Sequence, residues 1–139
     1  MQYLLLRLPL FSLYHATKFA VVGFTKSLSF ELAPLGIRAK VIAPSEVDTN
    51  FSGRSLVRTF IEGEHAYADT LSKVMAAMNA RRGNYSGAAL VAETIFTAAT
   101  DGTDRVMYVA GSDAEPAFTL LHSLSEAERL GMIRQLSGL

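Results

Sequence analysis

The sequence contains no cysteine. That excludes disulfides, thiolate metal centres and thiol catalysis, and it fits a reducing compartment such as the cytoplasm. Charge of one sign is also missing. Thirteen basic side chains face thirteen acidic ones, and neither gathers into a block. Nucleic acid and anionic membrane surfaces are therefore not expected as partners. Long apolar runs are absent as well. The opening MQYLLLRLPLF is interrupted by Arg7 and Pro9, with no basic stretch before it. It lacks the shape of a secretory signal and falls short of the roughly 20 residues that span a bilayer. A strand or loop entering a core is the expectation for this stretch, in a soluble protein. His15, His65 and His122 show no metal-ligand spacing, so no metal is expected. There is no internal repeat, low-complexity segment or linker, which argues for a single domain over residues 1–139.

What is present is an ordinary globular composition, half hydrophobic and 19% charged in 139 residues, enough for one core. Residues 14–33 read as a helix. Ala20, Phe24, Leu28 and Leu32 recur every fourth position, and Val21 and Ala33 widen the stripe. Pro34 should stop it and Gly36 should supply a left-handed cap. IRAKVIAP, 37–44, is short and β-branched, a strand expected to be buried on both faces at its centre. Short helical periodicity follows in 51–64 and 66–83. Ser86 reads as the N-cap of a helix through GAALVAETIFTAAT, closing near Asp101 and Gly102. RVMYVAG, 105–111, reads as a second strand. The 113–139 tail carries a capping box, Ser125 with Glu128. Helix, strand, helices, strand in that order argues α/β with a parallel sheet. The strands at 37–43 and 105–110 should be parallel neighbours, joined by a right-handed crossover that includes a helix at 86–100.

Within YHATK, Tyr14 and Lys18 stand four apart, which on a helix puts them on one face. Alone the pair is weak, since five tyrosines in 139 residues can meet a lysine by chance. Its surroundings are more specific. FAVVGFTKSLSFELAPLGIRAKVIAP continues the helix into a strand, PSEVDT follows at 44–49, and DRVMYVAGSDA supplies a later strand. Together these resemble the C-terminal half of the short-chain dehydrogenase/reductase family, from about residue 10 to 112. GNYSGAA, 83–89, mimics a glycine-rich dinucleotide loop. MNARR precedes it instead of a strand, so it is not read as one.

The resemblance implies a partial Rossmann-like fold, the C-terminal part of a doubly wound parallel sheet with flanking helices. It implies an oxidoreductase moving hydride between NAD or NADP and a small carbonyl or alcohol substrate. Tyr14 would be the acid-base, and Lys18 its electrostatic partner and the ligand of the nicotinamide ribose. A phenol near pKa 10 is a poor catalyst at neutral pH. An adjacent ammonium favours the phenolate, and a lowering of three pK units requires about 4 kcal/mol, within reach of a close charge in a partly desolvated cleft. PSEVDT resembles the family's Pro-Gly-x-Val-x-Thr turn, in which Pro44 would shape the turn, Val47 offer its main chain and Thr49 its hydroxyl to the nicotinamide carboxamide. Ser45 replaces the usual glycine and needs ordinary backbone angles or accepts strain. Residues 51–85 occupy the family's substrate-loop position. Phe51, Phe60, Tyr67, Met75 and Met78 are either pocket lining or plain core.

The family's glycine-rich phosphate loop, cofactor selector and structural asparagine have no counterpart in these 139 residues. The position of the catalytic serine, thirteen before the tyrosine, falls on Met1, and Ser12 cannot take its place. The expectation is therefore an incomplete chain with little turnover of its own. Its uncovered residues, Phe19, Ala20, Phe24, Leu28, Val41 and Ile42, should favour a homo-oligomer through the tyrosine-bearing helix. The competing readings are a non-catalytic, oligomerising remnant and an unrelated α/β binding module.

Overall fold

The computed structural model describes residues 7–47, 66–80, 85–111 and 114–139. Along the chain run α1 (Ser12–Leu32), a 3-10 turn (Ala33–Leu35), β1 (Val41–Pro44), α2 (Ala68–Ala80), α3 (Ala88–Thr100), β2 (Met107–Ala110), α4 (Ala114–Ser123) and α5 (Glu126–Ser137). The stop signal of α1 works as its residues dictate. Pro34 sits in the first turn of the 3-10 segment, and Gly36 takes φ 71°, where a side chain would be strained. The Ser125–Glu128 capping box is formed in both directions, and Gly138 closes α5 in a left-handed cap.

The strands are parallel neighbours, with Val41 opposite Met107 and Pro44 opposite Ala110. Both are shorter than expected, because the ladder opens only with the 2.7 Å bond from Val41 N–H to Val106 C=O. Before it, Arg38 and Lys40 carry side-chain ion pairs to Asp104 and Asp101. Only alternate residues of β1 are buried, Val41 and Ala43, so the expectation of burial on both faces is corrected. Ile42 shares a cavity wall with Ile95 and Ala98 of α3. Met107 shares another with Phe19 and Val22 of α1 and Phe118 and Leu121 of α4. Helices thus lie on both faces of the ladder, which is the α/β arrangement of a partial Rossmann-like fold. Away from the sheet, α2 packs on α5, burying Val74 and Ser137. Leu8 and Leu121 form a second cluster with Phe11, Met132 and Leu136.

The apolar stripe of α1 is largely uncovered, as expected of Phe19, Ala20 and Phe24. Phe24 is 67% exposed, Ala20 and Val21 are also exposed, and Leu28 and Leu32 are half-buried. Periodicity put these residues on one face, but among the described residues little packs against it. Val41, by contrast, is covered from within the chain, because β2 and the helices enclose it.

At the N-terminal end of the ladder a polar staple joins three elements. Lys40 Nζ reaches Asp101 Oδ1 at 2.7 Å and the Tyr108 hydroxyl at 2.9 Å, and that hydroxyl donates to Asp101. Thr103 adds a backbone N–H to the same carboxylate at 3.0 Å. The Lys40 and Tyr108 hydrogen bonds hold the Asp101 carboxyl far below the usual carboxylate range. A folded-state pKa below the unfolded value of 3.8 contributes stability that is fully present well above that value and is lost progressively as pH falls toward the folded pKa. Asp101→Asn should therefore lower the thermal midpoint at neutral pH. It should also flatten the loss of stability below about pH 5, measured by thermal melts across an acid series.

Candidate active site

A turn of unusual backbone delivers α1 to its place. Arg7 and Leu10 take φ 47° and 69°, positions uncommon for residues with a Cβ. Phe11 N–H then bonds Leu8 C=O, and His15 N–H bonds Phe11 C=O. The result is an aromatic head on α1. Tyr14 is half-buried, edge-on to Phe11 with ring centroids 6.3 Å apart and to His15 at 5.9 Å.

Tyr14 and Lys18 meet as their spacing requires. Lys18 Nζ lies 5.4 Å from the centroid of the Tyr14 ring, over its face. The ammonium makes no hydrogen bond or ion pair among the described residues and is free to reach an incoming oxygen. The electrostatic expectation is corrected, however. Burial raises the Tyr14 pKa above 10.0 instead of the lysine lowering it. The cation faces the ring, where it favours the π cloud, and desolvation of the phenolate dominates.

The turn after β1 lies at the same end of the sheet. Ser29 and Phe30, late in α1, share a cavity wall with Asp104 and Val106. Phe19 and Val22, earlier in α1, share one with Met107. Hence α1 runs antiparallel to the strands, and its head points toward their C-terminal ends, where open α/β sheets bind ligands. Pro44 closes the ladder opposite Ala110. Val47 forms a parallel bridge with Ser86, made by the 2.7 Å bond from Ser86 N–H to Glu46 C=O. That bond leaves the N–H and C=O of Val47 itself out of the pairing. Thr49, Phe51 and Phe60 lie outside the described residues. Of the other substrate-loop candidates, Tyr67 is exposed and Met75 and Met78 are half-buried on α2.

Ser45 resolves its sequence oddity by accepting ordinary backbone angles and burying its side chain. It is 2% exposed, with Oγ 2.7 Å from Ser86 Oγ. Ser86 is consequently not the N-cap of α3. Gly87 holds that position, and the Ser86 hydroxyl is committed to the serine pair. The residue that sequence reasoning missed is Gly111, which follows β2 with φ 142°. A Cβ there would lie 2.9 Å from Ser45 Cβ, 3.0 Å from Ser86 Oγ, and closer still to Ser45 Oγ. A glycine directly after an apolar strand was the available signal. Gly111→Ala should destabilise the protein by about 2 kcal/mol or more in denaturant titration. The same change in a Ser45→Gly background should cost less, because its nearest obstruction is gone.

Among the described residues no three histidine or acidic side chains converge as metal ligands, and no helix is long and apolar enough to cross a membrane. Comparison with known proteins places the site in context. The short chain dehydrogenase family profile matches residues 5–57, a stretch that contains Tyr14, Lys18 and the 44–49 turn. An uncharacterized oxidoreductase of Schizosaccharomyces pombe is 28% identical over 136 residues, covering 94% of this chain and 54% of that protein. Dehydrogenase/reductase SDR family member 4 of Homo sapiens is 48% identical over 44 residues, 32% of this chain and 16% of the human one. A short-chain dehydrogenase of Neurospora crassa is 44% identical over 54 residues, 39% of this chain and 19% of its own. The chain thus spans about half the length of the curated relative it matches most extensively among these. No solved structure matches it.

Proposed function

We propose that the chain is a member of the short-chain dehydrogenase/reductase family, which its similarity to that family's profile over residues 5–57 and to an oxidoreductase at 28% identity supports, and that residues 14–49 carry the hydride-transfer end of an NAD(P)-dependent oxidoreductase. The observation that carries this reading is the Tyr14–Lys18 pair at the head of α1, at the end of the sheet where the Pro44–Val47 turn also lies. The residues fit the group. Lys18 has an uncommitted ammonium for the nicotinamide ribose, and Val47 has backbone groups unused by its bridge for the carboxamide. Thr49 is assigned its hydroxyl contact by resemblance. The nicotinamide, when bound, supplies or accepts the hydride. Tyr14 gives its proton to the carbonyl oxygen of the substrate, or takes it back from the alcohol. Because burial raises the Tyr14 pKa, turnover requires Lys18 to swing from the ring face toward the hydroxyl. Its flexible four-carbon stem permits that. The substrate class is a small carbonyl/alcohol pair, and the cysteine-free sequence supports the cytoplasm as the location.

The 139-residue polypeptide by itself is assigned little turnover. It should leave NADH and NADPH largely unoxidised with assorted ketones in a spectrophotometric assay. Steady oxidation lost in Tyr14→Phe would overturn that assignment and mark a complete enzyme. In any assembly that does turn over, Tyr14→Phe should lower kcat by about 10²- to 10⁴-fold.

A second reading, an oligomerising module without turnover, is favoured by the exposed face of α1. Leu13, Val21 and Phe24 stand in solvent along one side of it. Apolar area of this kind favours association at about 25 cal/mol per Å² buried. Both readings give a homo-oligomer through α1, the closed twofold pair being the simplest. Analytical ultracentrifugation at micromolar concentration should show a dimer or larger species, and a stable folded monomer would exclude this interface.

A further inference from the structure

His15 is 7% exposed, and neither ring nitrogen has a hydrogen-bond partner among the described residues. Aromatic rings surround it, Phe11 at 6.4 Å, Tyr14 at 5.9 Å and Phe19 at 6.5 Å between centroids. A neutral imidazole tolerates such a box as a flat, largely apolar ring. An imidazolium does not. It would bring a full charge and two N–H donors into a space where the Leu8 carbonyl can answer one of them at most. The nearest cation makes this worse, since the Arg7 guanidinium lies 5.6 Å from the Phe19 ring that forms one wall.

We propose that neutral His15 is a positioning residue for the head of α1, and that its protonation releases this head and with it Tyr14. The titratable groups around it run the same way. Arg7, on the 7–11 segment, repels a positive ring, although its charge is partly answered by Glu126 of α5 at 2.8 Å. Within α1, Tyr14 is neutral and Lys18 adds a second cation over the Tyr14 ring. The rest of α5 offers Arg129, also paired with Glu126, while Met132 and Leu136 pack on the Leu8 cluster that includes Phe11. No free carboxylate among the described residues is placed to receive an imidazolium. Desolvation, with the Arg7 charge beside it, holds the His15 pKa below 6.5, and the nearby Leu8 carbonyl offsets part of this. A depressed pKa gives stability that is complete above the unfolded value of 6.5 and is lost as pH falls below it. Release would part the Tyr14 ring from the edge-on His15 ring and return its hydroxyl to water, removing the burial that raises its pKa. The release itself rests on the geometry of His15, and only its catalytic consequence rests on the role assigned to Tyr14.

The test is an NMR titration of the 139-residue protein, with histidine and tyrosine rings labelled and backbone amide exchange followed in parallel. His15 should titrate below the ordinary value near 6.5, and the Tyr14 ring signals should move with the same midpoint. Amides of residues 15–19 should lose protection about tenfold or more over that titration, while those of α3 hold. In His15→Phe, which keeps the ring and cannot take a proton, the Tyr14 signals and the amide protection should be flat across the same range. The proposal is overturned if His15 titrates at or above the ordinary value, or if it titrates without moving Tyr14. Equal loss of protection in His15→Phe would also overturn it. The wild-type titration decides the matter even if that variant folds poorly. A dehydrogenase assay plays no part, so failure of the assigned chemistry cannot be mistaken for failure of the switch.

Discussion

Four residue pairs of parallel ladder, Val41 to Pro44 against Met107 to Ala110, are the interaction on which the rest of the structure depends. The ladder gives α1 and α4 one face to cover and α3 the other. It also sets two ends with opposite chemistry. At the N-terminal end an ion pair between Lys40 and Asp101, tied to Tyr108, fixes where the ladder begins. At the C-terminal end two serines and a glycine fix where it stops. A ladder this short is weak alone, so the polar groups at its ends define its register as much as the backbone bonds do.

The C-terminal corner links packing to function. Ser45 fills the space that a side chain on Gly111 would take, and its hydroxyl bonds Ser86 at the entry to α3. With Ser86 N–H on Glu46 C=O, the turn is held from both sides while the peptide groups of Val47 stay out of the pairing. A glycine at 45 would leave that corner looser. The substitution therefore exchanges backbone freedom for a buried hydrogen bond. The candidate cofactor turn gains a fixed shape without strained angles at Ser45.

Local signals were legible in the residues. Pro34 and Gly36 ended the helix where their backbone limits require, and Ser125 with Glu128 formed the cap that their spacing encodes. The spacing of Tyr14 and Lys18 brought them together for the same reason. What was illegible depends on partners distant in sequence. Strand ends were set by Val106 C=O and by side-chain ion pairs across 61 and 66 residues. Ser86 looked like a cap because Ser45 lies 41 residues away. The stripe on α1 told which residues share a face and nothing about what covers it. The direction of the Tyr14 pKa failed similarly, because the lysine's position over the ring face, and not beside the hydroxyl, is a matter of side-chain rotamer. The left-handed backbone at Arg7 and Leu10, in the turn before α1, is announced by no residue type there.

The central claim is that these residues read the nicotinamide end of a dinucleotide. It is tested most directly by backbone and side-chain NMR of the 139-residue protein titrated with reduced nicotinamide mononucleotide, with adenosine monophosphate as the control. Nicotinamide mononucleotide should shift the Tyr14 ring, the Lys18 ammonium-bearing chain and the Val47 amide together, at one dissociation constant, while adenosine monophosphate leaves them in place. Unmoved Tyr14, Lys18 and Val47 signals at saturating mononucleotide, or equal shifts with the adenine compound, would contradict it.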